Sequence, residues 1–270
     1  APATGPCATP WADALTVAAR AGRPLPCAVW DNHCHLLHDG CSLPGGGLVF
    51  HRGDADGMVE IMRRVGIART AVMSWTGPVG ANADLGNETV ARAVARYPDA
   101  FIGLATVNPE HQSEAEIEAV IDRYHRTLRF PGLKTLVSSQ NLNYDDPRFA
   151  RWYAFGNRHR LYAVIDPCSR TDSAVIGRLA ERYPDLRISL DHCGQSWPYA
   201  RWAAEMVARY PNVDAQLTYT SVTNGVIEFL VERCGADRVL FGTDAPMRDP
   251  RPQAGWLVFT RLMESQKRLI

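Results

Sequence analysis

The sequence lacks any apolar run close to the roughly 20 residues that span a bilayer, so we expect no membrane-spanning segment. It also lacks net charge, because 29 basic residues balance 29 acidic ones. A balanced chain has no electrostatic attraction to nucleic acid or to an anionic membrane, and we expect neither as a partner. With 46% hydrophobic residues the chain is too apolar for intrinsic disorder, and 270 residues suffice for a buried core.

Paired cysteine motifs are absent as well. The seven cysteines are odd in number and form no C-x-x-C pair, which argues against a disulfide scaffold and for reduced thiols. No signal peptide is visible, so the sequence predicts a cytoplasmic protein. Lysine is scarce, with two residues against 27 arginines, and this makes Lys134 inside a predicted strand notable.

Short apolar runs alternate with amphipathic helical patterns along the chain. The runs are apolar on both faces, which is typical of parallel strands covered by helices. Eight strands are predicted, at residues 27–33, 67–75, 101–108, 132–138, 162–167, 187–192, 213–219 and 239–244. Helices are predicted between them, for example at 112–129, 173–183 and 225–234, and three helices end at an Arg-Tyr-Pro segment.

Eight strand–helix units in about 240 residues predict an α/β fold of the (β/α)8 TIM-barrel type. The competing fold is an open doubly wound sheet, but no G-x-G-x-x-G or P-loop motif follows the first strand. We therefore predict a single barrel domain over residues 27–270. A short N-terminal extension, residues 1–26, would place one short helix across the bottom of the barrel.

Polar side chains fall at the carboxyl ends of the predicted strands, which is where barrels of this type carry their chemistry. His33 and His35 are two positions apart on the first strand, so both imidazoles point to the same side. Imidazoles together with carboxylates suit a divalent ion such as Zn²⁺. An isolated H-x-H is weak evidence, but Asp244 closes the last strand and His192 ends the sixth, and the combination predicts a metal centre.

Each of the other candidate residues also has a structural explanation. Asp244 fits a helix cap or a turn before Pro246, and His192 fits a core histidine with satisfied hydrogen bonds. Asp166 ends the fifth strand before a proline and fits a turn. Lys134 lies in the fourth strand, where it fits a salt bridge as well as a site residue.

With these segments in view, the sequence resembles the amidohydrolase superfamily, in its amidohydrolase-2 branch. That branch includes metal-dependent hydrolases and the aminocarboxymuconate-semialdehyde decarboxylase-like enzymes. The matching segments follow the order of the family over nearly the whole chain, and they include residues 31–35, 132–134, 191–194 and 238–246. The resemblance supports the barrel and the metal centre, but it does not specify the substrate.

The resemblance implies that His33, His35 and Asp244 bind the metal and that His192 is a ligand or an acid–base residue. It makes Lys134 a secondary residue of the site. Dimers are common in the family, so a homodimer is a further expectation.

One departure from the family stands out, at the end of the fifth strand. The family usually has a metal-binding histidine there, whereas this chain has Asp166. A carboxylate can still be a ligand, and an extra one shifts the preference of the site toward Mn²⁺. We expect one divalent ion, with Zn²⁺ ahead of Mn²⁺.

The first functional hypothesis is a metal-dependent hydrolase of a small amide, lactone or ester. In it His33, His35, Asp244 and Asp166 hold one ion, which lowers the pKa of a bound water to about 7. Asp244 accepts the proton of that water, and His192 stabilises the developing oxyanion or protonates the leaving group.

Two arginines on the last loop are candidates for binding the substrate. Arg248 and Arg251 follow Asp244 closely, and either guanidinium suits a bidentate pair with a carboxylate. The alternative is that both are solvated loop charges.

Two further hypotheses remain open. The first is a non-oxidative decarboxylase in which the same metal is used and His192 or Asp244 protonates the carbon that CO₂ leaves. The compact chain favours the hydrolase, because decarboxylases of this branch tend to be longer. The second is a barrel that no longer catalyses, and Asp166 is its only support.

Overall fold

The structure is a computed structural model that describes residues 12–41, 51–77, 79, 82–137, 142–167, 173–218 and 224–270. Its centre is one sheet of eight parallel strands that pair in chain order. The strands are β1 (Val29–Leu36), β2 (Ile67–Ser74), β3 (Phe101–Ala105), β4 (Gly132–Thr135), β5 (Tyr162–Ile165), β6 (Arg187–Leu190), β7 (Val213–Gln216) and β8 (Val239–Leu240). The predicted single-domain (β/α)8 TIM barrel is confirmed.

Helices follow the strands and cover the outside of the barrel. They are α1 (Ala14–Arg20), α2 (Ala55–Val65), α3 (Ala83–Arg96), α4 (Glu114–Val120), α5 (Ala150–Arg158), α6 (Ser173–Arg182), α7 (Trp197–Arg209), α8 (Val226–Cys234), α9 (Pro250–Val258) and α10 (Glu264–Leu269). Helices α3, α6 and α7 end just before the predicted Tyr-Pro segments, because proline cannot continue a helix. Within the described ranges, no helix has both the length and the apolarity to cross a membrane.

The predicted helix at 112–129 forms in two parts. Ser113 caps α4 in a capping box with Glu116, and after Val120 the chain continues as a π-helix, Ile121–Thr127. Within this π-helix the buried His125 has its Nδ1 2.8 Å from the carbonyl oxygen of Phe130. A hydrogen bond inside the core therefore accompanies the change of helix type.

The barrel closes between β1 and the segment after β8. The amide of Asn32 donates to the Phe241 carbonyl at 2.9 Å, and the amide of His35 donates to the Ala245 carbonyl at 2.7 Å. Strand β8 is shorter than the predicted 239–244, because residues beyond Leu240 leave the ladder with β7 and bond to β1 instead. This change of partner strand brings Asp244 to the mouth of the barrel.

The alternation of side chains along β4 explains the position of its lysine. Leu133 belongs to the large core between strands and helices, whereas Lys134 points the opposite way. Lys134 is in register with Val164 of β5, and Val164 belongs to a small cluster that is separate from the large core. The Lys134 side chain therefore lies inside the barrel, where it is buried.

Candidate metal centre

Three of the predicted ligands converge on one point at the mouth of the barrel. His33 Nε2 lies 3.0 Å from His35 Nε2 and 3.6 Å from Asp244 Oδ1, and His35 Nε2 lies 3.3 Å from the same oxygen. Ligand atoms about 2.1 Å from one ion are separated from each other by about 3.0 to 3.5 Å. The spacings are therefore close to those of a single coordination shell, and two imidazoles with a carboxylate form a donor set that fits a divalent ion.

Backbone contacts hold this triad together. The amide of Asp244 donates to the His33 carbonyl at 2.9 Å, so the loop after β8 is fixed directly to the ligand strand. Asp244 has a φ of 62°, in the left-handed region that residues other than glycine seldom adopt. Such a conformation persists where surrounding contacts impose it, and here it aims the carboxylate at the two histidines.

The buried carboxylate of Asp31 joins the same two segments. It accepts hydrogen bonds from the His33 amide at 3.0 Å, from Cys34 Sγ at 2.8 Å, and from the amide and hydroxyl of Thr243 at 3.0 and 2.6 Å. Burial raises the pKa of Asp31 to about 6, although these hydrogen bonds lower it. Sequence reasoning assigned Asp31 no role, although a carboxylate two residues before an H-x-H was a visible signal.

The surroundings of the two triad histidines favour their neutral forms. Burial lowers the pKa of His33 well below its usual value, and the positive charge of Lys134 lowers it further. Burial also lowers the pKa of His35, although Asp244 acts in the opposite direction. A neutral imidazole keeps a lone pair available, which is the form that binds a metal.

A second cluster of charged groups lies beside the triad. It contains Asp166 and Asp191 together with His192, whose Nε2 lies 4.0 Å from Asp166 Oδ2 and 3.8 Å from Asp191 Oδ1. The rings of His33 and His192 have centroids 5.5 Å apart, so the two clusters adjoin. The five predicted ligands thus form two adjoining groups, with Asp166 and His192 in the second.

Charges around His192 favour its protonated form. Burial lowers the pKa of His192, but the carboxylates of Asp191, Asp244 and Asp166 raise it by more, so the net shift is upward. Like Asp244, His192 has a left-handed backbone, with a φ of 59°. The site therefore combines triad imidazoles whose pKa is lowered with a neighbouring imidazole whose pKa is raised.

The predicted substrate-binding residues lie in three different settings. Lys134 Nζ lies 2.6 Å from Asp191 Oδ2, so this lysine forms a salt bridge inside the site. Arg248 lies near enough to Asp244 for its charge to lower the pKa of that carboxyl group. Arg251 is exposed and pairs with Asp249 at the start of α9, and none of its described contacts is with the triad.

The known proteins that the chain is similar to include decarboxylases. A gamma-resorcylate decarboxylase from Polaromonas sp. is 30% identical over 110 residues, and the match covers 34% of this chain and 33% of that protein. The chain thus matches about a third of the length of this curated relative.

Solved structures share the fold at lower identity. A 2,6-dihydroxybenzoate decarboxylase from Rhizobium has a TM-score of 0.69 and 19% identity, over 90% of this chain and 95% of the other. A dihydroxybenzoic acid decarboxylase from Polaromonas sp., solved with manganese and the inhibitor 2-nitroresorcinol, has a TM-score of 0.63 and 20% identity, over 79% and 82%.

These relatives correct the first functional hypothesis. The sequence favoured a hydrolase of a small amide, lactone or ester, and that prediction is wrong, because the similar proteins are decarboxylases. The motifs behind the hydrolase prediction indicate a barrel fold and a set of residues that suit a metal. Hydrolysis and decarboxylation can both use such a site. Zinc gains no specific support, since the metal found in the Polaromonas structure is manganese.

The family itself follows from a match that covers most of the chain. The amidohydrolase family model matches residues 30–268, from the start of β1 to the last helix. This range includes the triad, the second cluster and all eight strands except the first residue of β1. The chain therefore belongs to the amidohydrolase family.

Proposed function

We propose that the chain is a metal-dependent, non-oxidative decarboxylase of a small aromatic carboxylic acid that carries hydroxyl groups. The similarity to gamma-resorcylate decarboxylase and to the dihydroxybenzoate decarboxylases supports this reaction. The observation that carries the proposal is the pairing of a triad suited to a metal with His192, an imidazole that favours its protonated form, at the same barrel mouth.

His33, His35 and Asp244 would hold one divalent ion, for which we propose Mn²⁺. When bound, the ion would supply positive charge that offsets the negative charge of the substrate carboxylate. The His35 ring lies edge-on to Trp75, with centroids 4.9 Å apart, and this packing limits the rotation of the ligand.

The charges of the site agree with a single divalent ion. The carboxyl groups at the site are four, and two basic side chains accompany them, which leaves two negative charges when all are ionised; the groups are Asp31, Asp166, Asp191, Asp244, Lys134 and Arg248. One divalent ion balances them, and buried charge without compensation is costly. The negative charge of a substrate carboxylate is then balanced by the positive charge of a protonated His192.

His192 is the proposed proton donor. Its imidazolium transfers a proton to the ring carbon that bears the carboxylate, and a new C–H bond forms. The C–C bond to the carboxylate then breaks, its electron pair restores the aromatic ring, and CO₂ leaves. His192 then takes up a proton from water, and the neighbouring carboxylates of Asp166 and Asp191 favour this return to the imidazolium.

The test is an assay of the protein after removal of metal and reconstitution with Mn²⁺. We expect 2,6-dihydroxybenzoate to release CO₂ and resorcinol in equal amounts, measured by a coupled CO₂ assay and by chromatography. Benzoate, which lacks the hydroxyl groups, serves as the control substrate and should not react. Absence of CO₂ from a panel of hydroxylated benzoates, in protein that binds one Mn²⁺ per chain, would contradict the proposal.

A further inference from the structure

Strand β7 carries none of the predicted ligands, yet side chains at its end contact the site. Gln216 is fully buried, and its Oε1 lies 2.7 Å from Nδ1 of His33. The amide nitrogen of Gln216 donates to the carbonyl of Asn32 at 3.3 Å. That second contact orients the amide, so it is the oxygen that faces His33.

This orientation decides which nitrogen of His33 carries the proton. An amide oxygen only accepts hydrogen bonds, so Nδ1 of His33 must be the donor and Nε2 keeps its lone pair. Asp191 is the competing acceptor, but its Oδ2 lies 3.8 Å from Nδ1 and is bound by Lys134. By contrast, Nδ1 of His35 has no hydrogen-bond partner within the part of the chain that the structure describes.

Thr218 connects Gln216 to His192 of the second cluster. Its hydroxyl accepts a hydrogen bond from the amide of His192 at 3.1 Å and donates one to Gln216 Oε1, also at 3.1 Å. Its methyl group faces Gly242, where a Cβ would lie 2.6 Å from Cγ2 of Thr218. Packing therefore fixes the hydroxyl against the left-handed backbone of His192.

We propose that Gln216 and Thr218 form a positioning pair for the centre. Gln216 holds His33 in the tautomer that presents Nε2 to His35 and Asp244, and Thr218 fixes both the Gln216 amide and the backbone of His192. A hydrogen-bond partner of this kind sets the orientation and basicity of a metal-binding imidazole. The inference rests on the proposed metal centre but not on the proposed reaction.

The first test is the affinity for Mn²⁺ of the full chain, measured by equilibrium dialysis. Gln216→Met keeps the volume but loses the acceptor, and we expect the affinity to fall by about 10- to 100-fold. Gln216→Glu keeps an acceptor oxygen for His33 but loses the donor to Asn32, and it should bind Mn²⁺ more tightly than Gln216→Met. Gln253→Met on α9, another buried glutamine, is the matched control and should leave the affinity unchanged. Equal affinities of wild type and Gln216→Met, or a Glu variant as weak as the Met variant, would overturn the proposal.

The second test needs no metal. Nitrogen-15 shifts of labelled histidine in the metal-free protein should show His33 protonated at Nδ1, and Gln216→Met should give a mixture of tautomers. A proton on Nε2 of His33 in the wild type would overturn the proposal. If the wild type binds no Mn²⁺, the proposed function fails, whereas this measurement still decides the role of Gln216.

Thr218 provides a check should Gln216→Met fail to fold. Thr218→Val removes the hydroxyl, and we expect a loss of Mn²⁺ affinity on the order of threefold to tenfold. Thr218→Ser keeps a hydroxyl at this position and should retain most of the Mn²⁺ affinity that Thr218→Val loses. An affinity unaffected by Thr218→Val would contradict the proposed link.

Discussion

Lys134 Nζ lies 2.6 Å from Asp191 Oδ2, and both side chains are buried inside the barrel. The same carboxylate reaches two histidines, because Oδ2 lies 3.8 Å from His33 Nδ1 and Oδ1 lies 3.8 Å from His192 Nε2. Burial raises the pKa of Asp191 to about 6, although the charges of His192 and Lys134 lower it. A single carboxylate thus connects the lysine of β4 with both clusters of the site.

Removal of this ammonium should destabilise the fold. We expect Lys134→Met to lower the free energy of unfolding by about 3 to 5 kcal/mol, because Asp191 would remain as an unpaired buried charge. Urea unfolding of the metal-free protein measures the loss. The double variant Lys134→Met/Asp191→Asn removes both charges and should recover more than half of it. A single variant within about 1 kcal/mol of the wild type would contradict the expectation.

Asp244 should be essential for the metal but not for the fold. We expect Asp244→Ala to lose Mn²⁺ affinity by at least about 100-fold and to abolish turnover, because the triad loses its only carboxylate. Circular dichroism of the metal-free variant should match the wild type. Asp249→Asn, on the same loop, is the control and should retain the metal. Retention of full metal content by Asp244→Ala would contradict the proposed centre.

Asp166 should affect turnover more than metal binding, because it lies in the cluster around His192. We expect Asp166→Ala to weaken Mn²⁺ binding by less than about tenfold, while kcat falls by about 10- to 100-fold as His192 loses a neighbouring carboxylate. Asp166→His should retain one ion per chain. Metal content and kcat are measured on the same preparations. A loss of metal affinity as large as that of Asp244→Ala would instead identify Asp166 as a ligand.

The two loop arginines should behave differently toward the substrate. Arg248 lies near Asp244, so Arg248→Ala should raise KM for a carboxylate substrate by about tenfold or more. Arg251 is exposed and paired with Asp249, and Arg251→Ala should leave KM within about twofold. Steady-state kinetics of the two variants provide the comparison, each serving as the control of the other. Equal changes of KM in the two variants would contradict the assignment of Arg248, and not Arg251, to substrate binding.

His125 should make the stability depend on pH. Trp152 donates to its Nε2 at 2.9 Å, and burial lowers its pKa from 6.5 to about 4. The unfolded chain therefore binds the proton more readily, and stability is complete above pH 6.5 and falls as the pH drops toward 4. At pH 5 the free energy of unfolding is lower by about 2 kcal/mol than above pH 6.5. Urea unfolding between pH 8 and pH 5 should show a shallower dependence in His125→Gln, and parallel curves would contradict the assignment.

The order of strands and helices was predictable because it depends on local pattern. Apolar runs and helical spacing predicted all eight strands, and the Tyr-Pro segments predicted three helix ends. The end of β8 was not predictable, since residues after Leu240 still look like a strand in sequence. They leave the ladder because the backbone of β1 offers better partners, which is a tertiary effect.

The reaction could not be predicted from the motifs. His33, His35 and Asp244 are of the residue types that bind divalent ions. Such a donor set suits both hydrolysis and decarboxylation. The hydrolase prediction failed for this reason, and similarity to decarboxylases provided the correction.

By itself the sequence determined the barrel and the three side chains that converge at its mouth, because period and residue type are local properties. Tertiary structure alone decided the partners of those side chains. Gln216 lies 183 residues from His33 in the chain, and Asp191 lies 57 residues from Lys134. Such pairs form only when the closed barrel brings distant strand ends together and burial makes an unpartnered polar group costly.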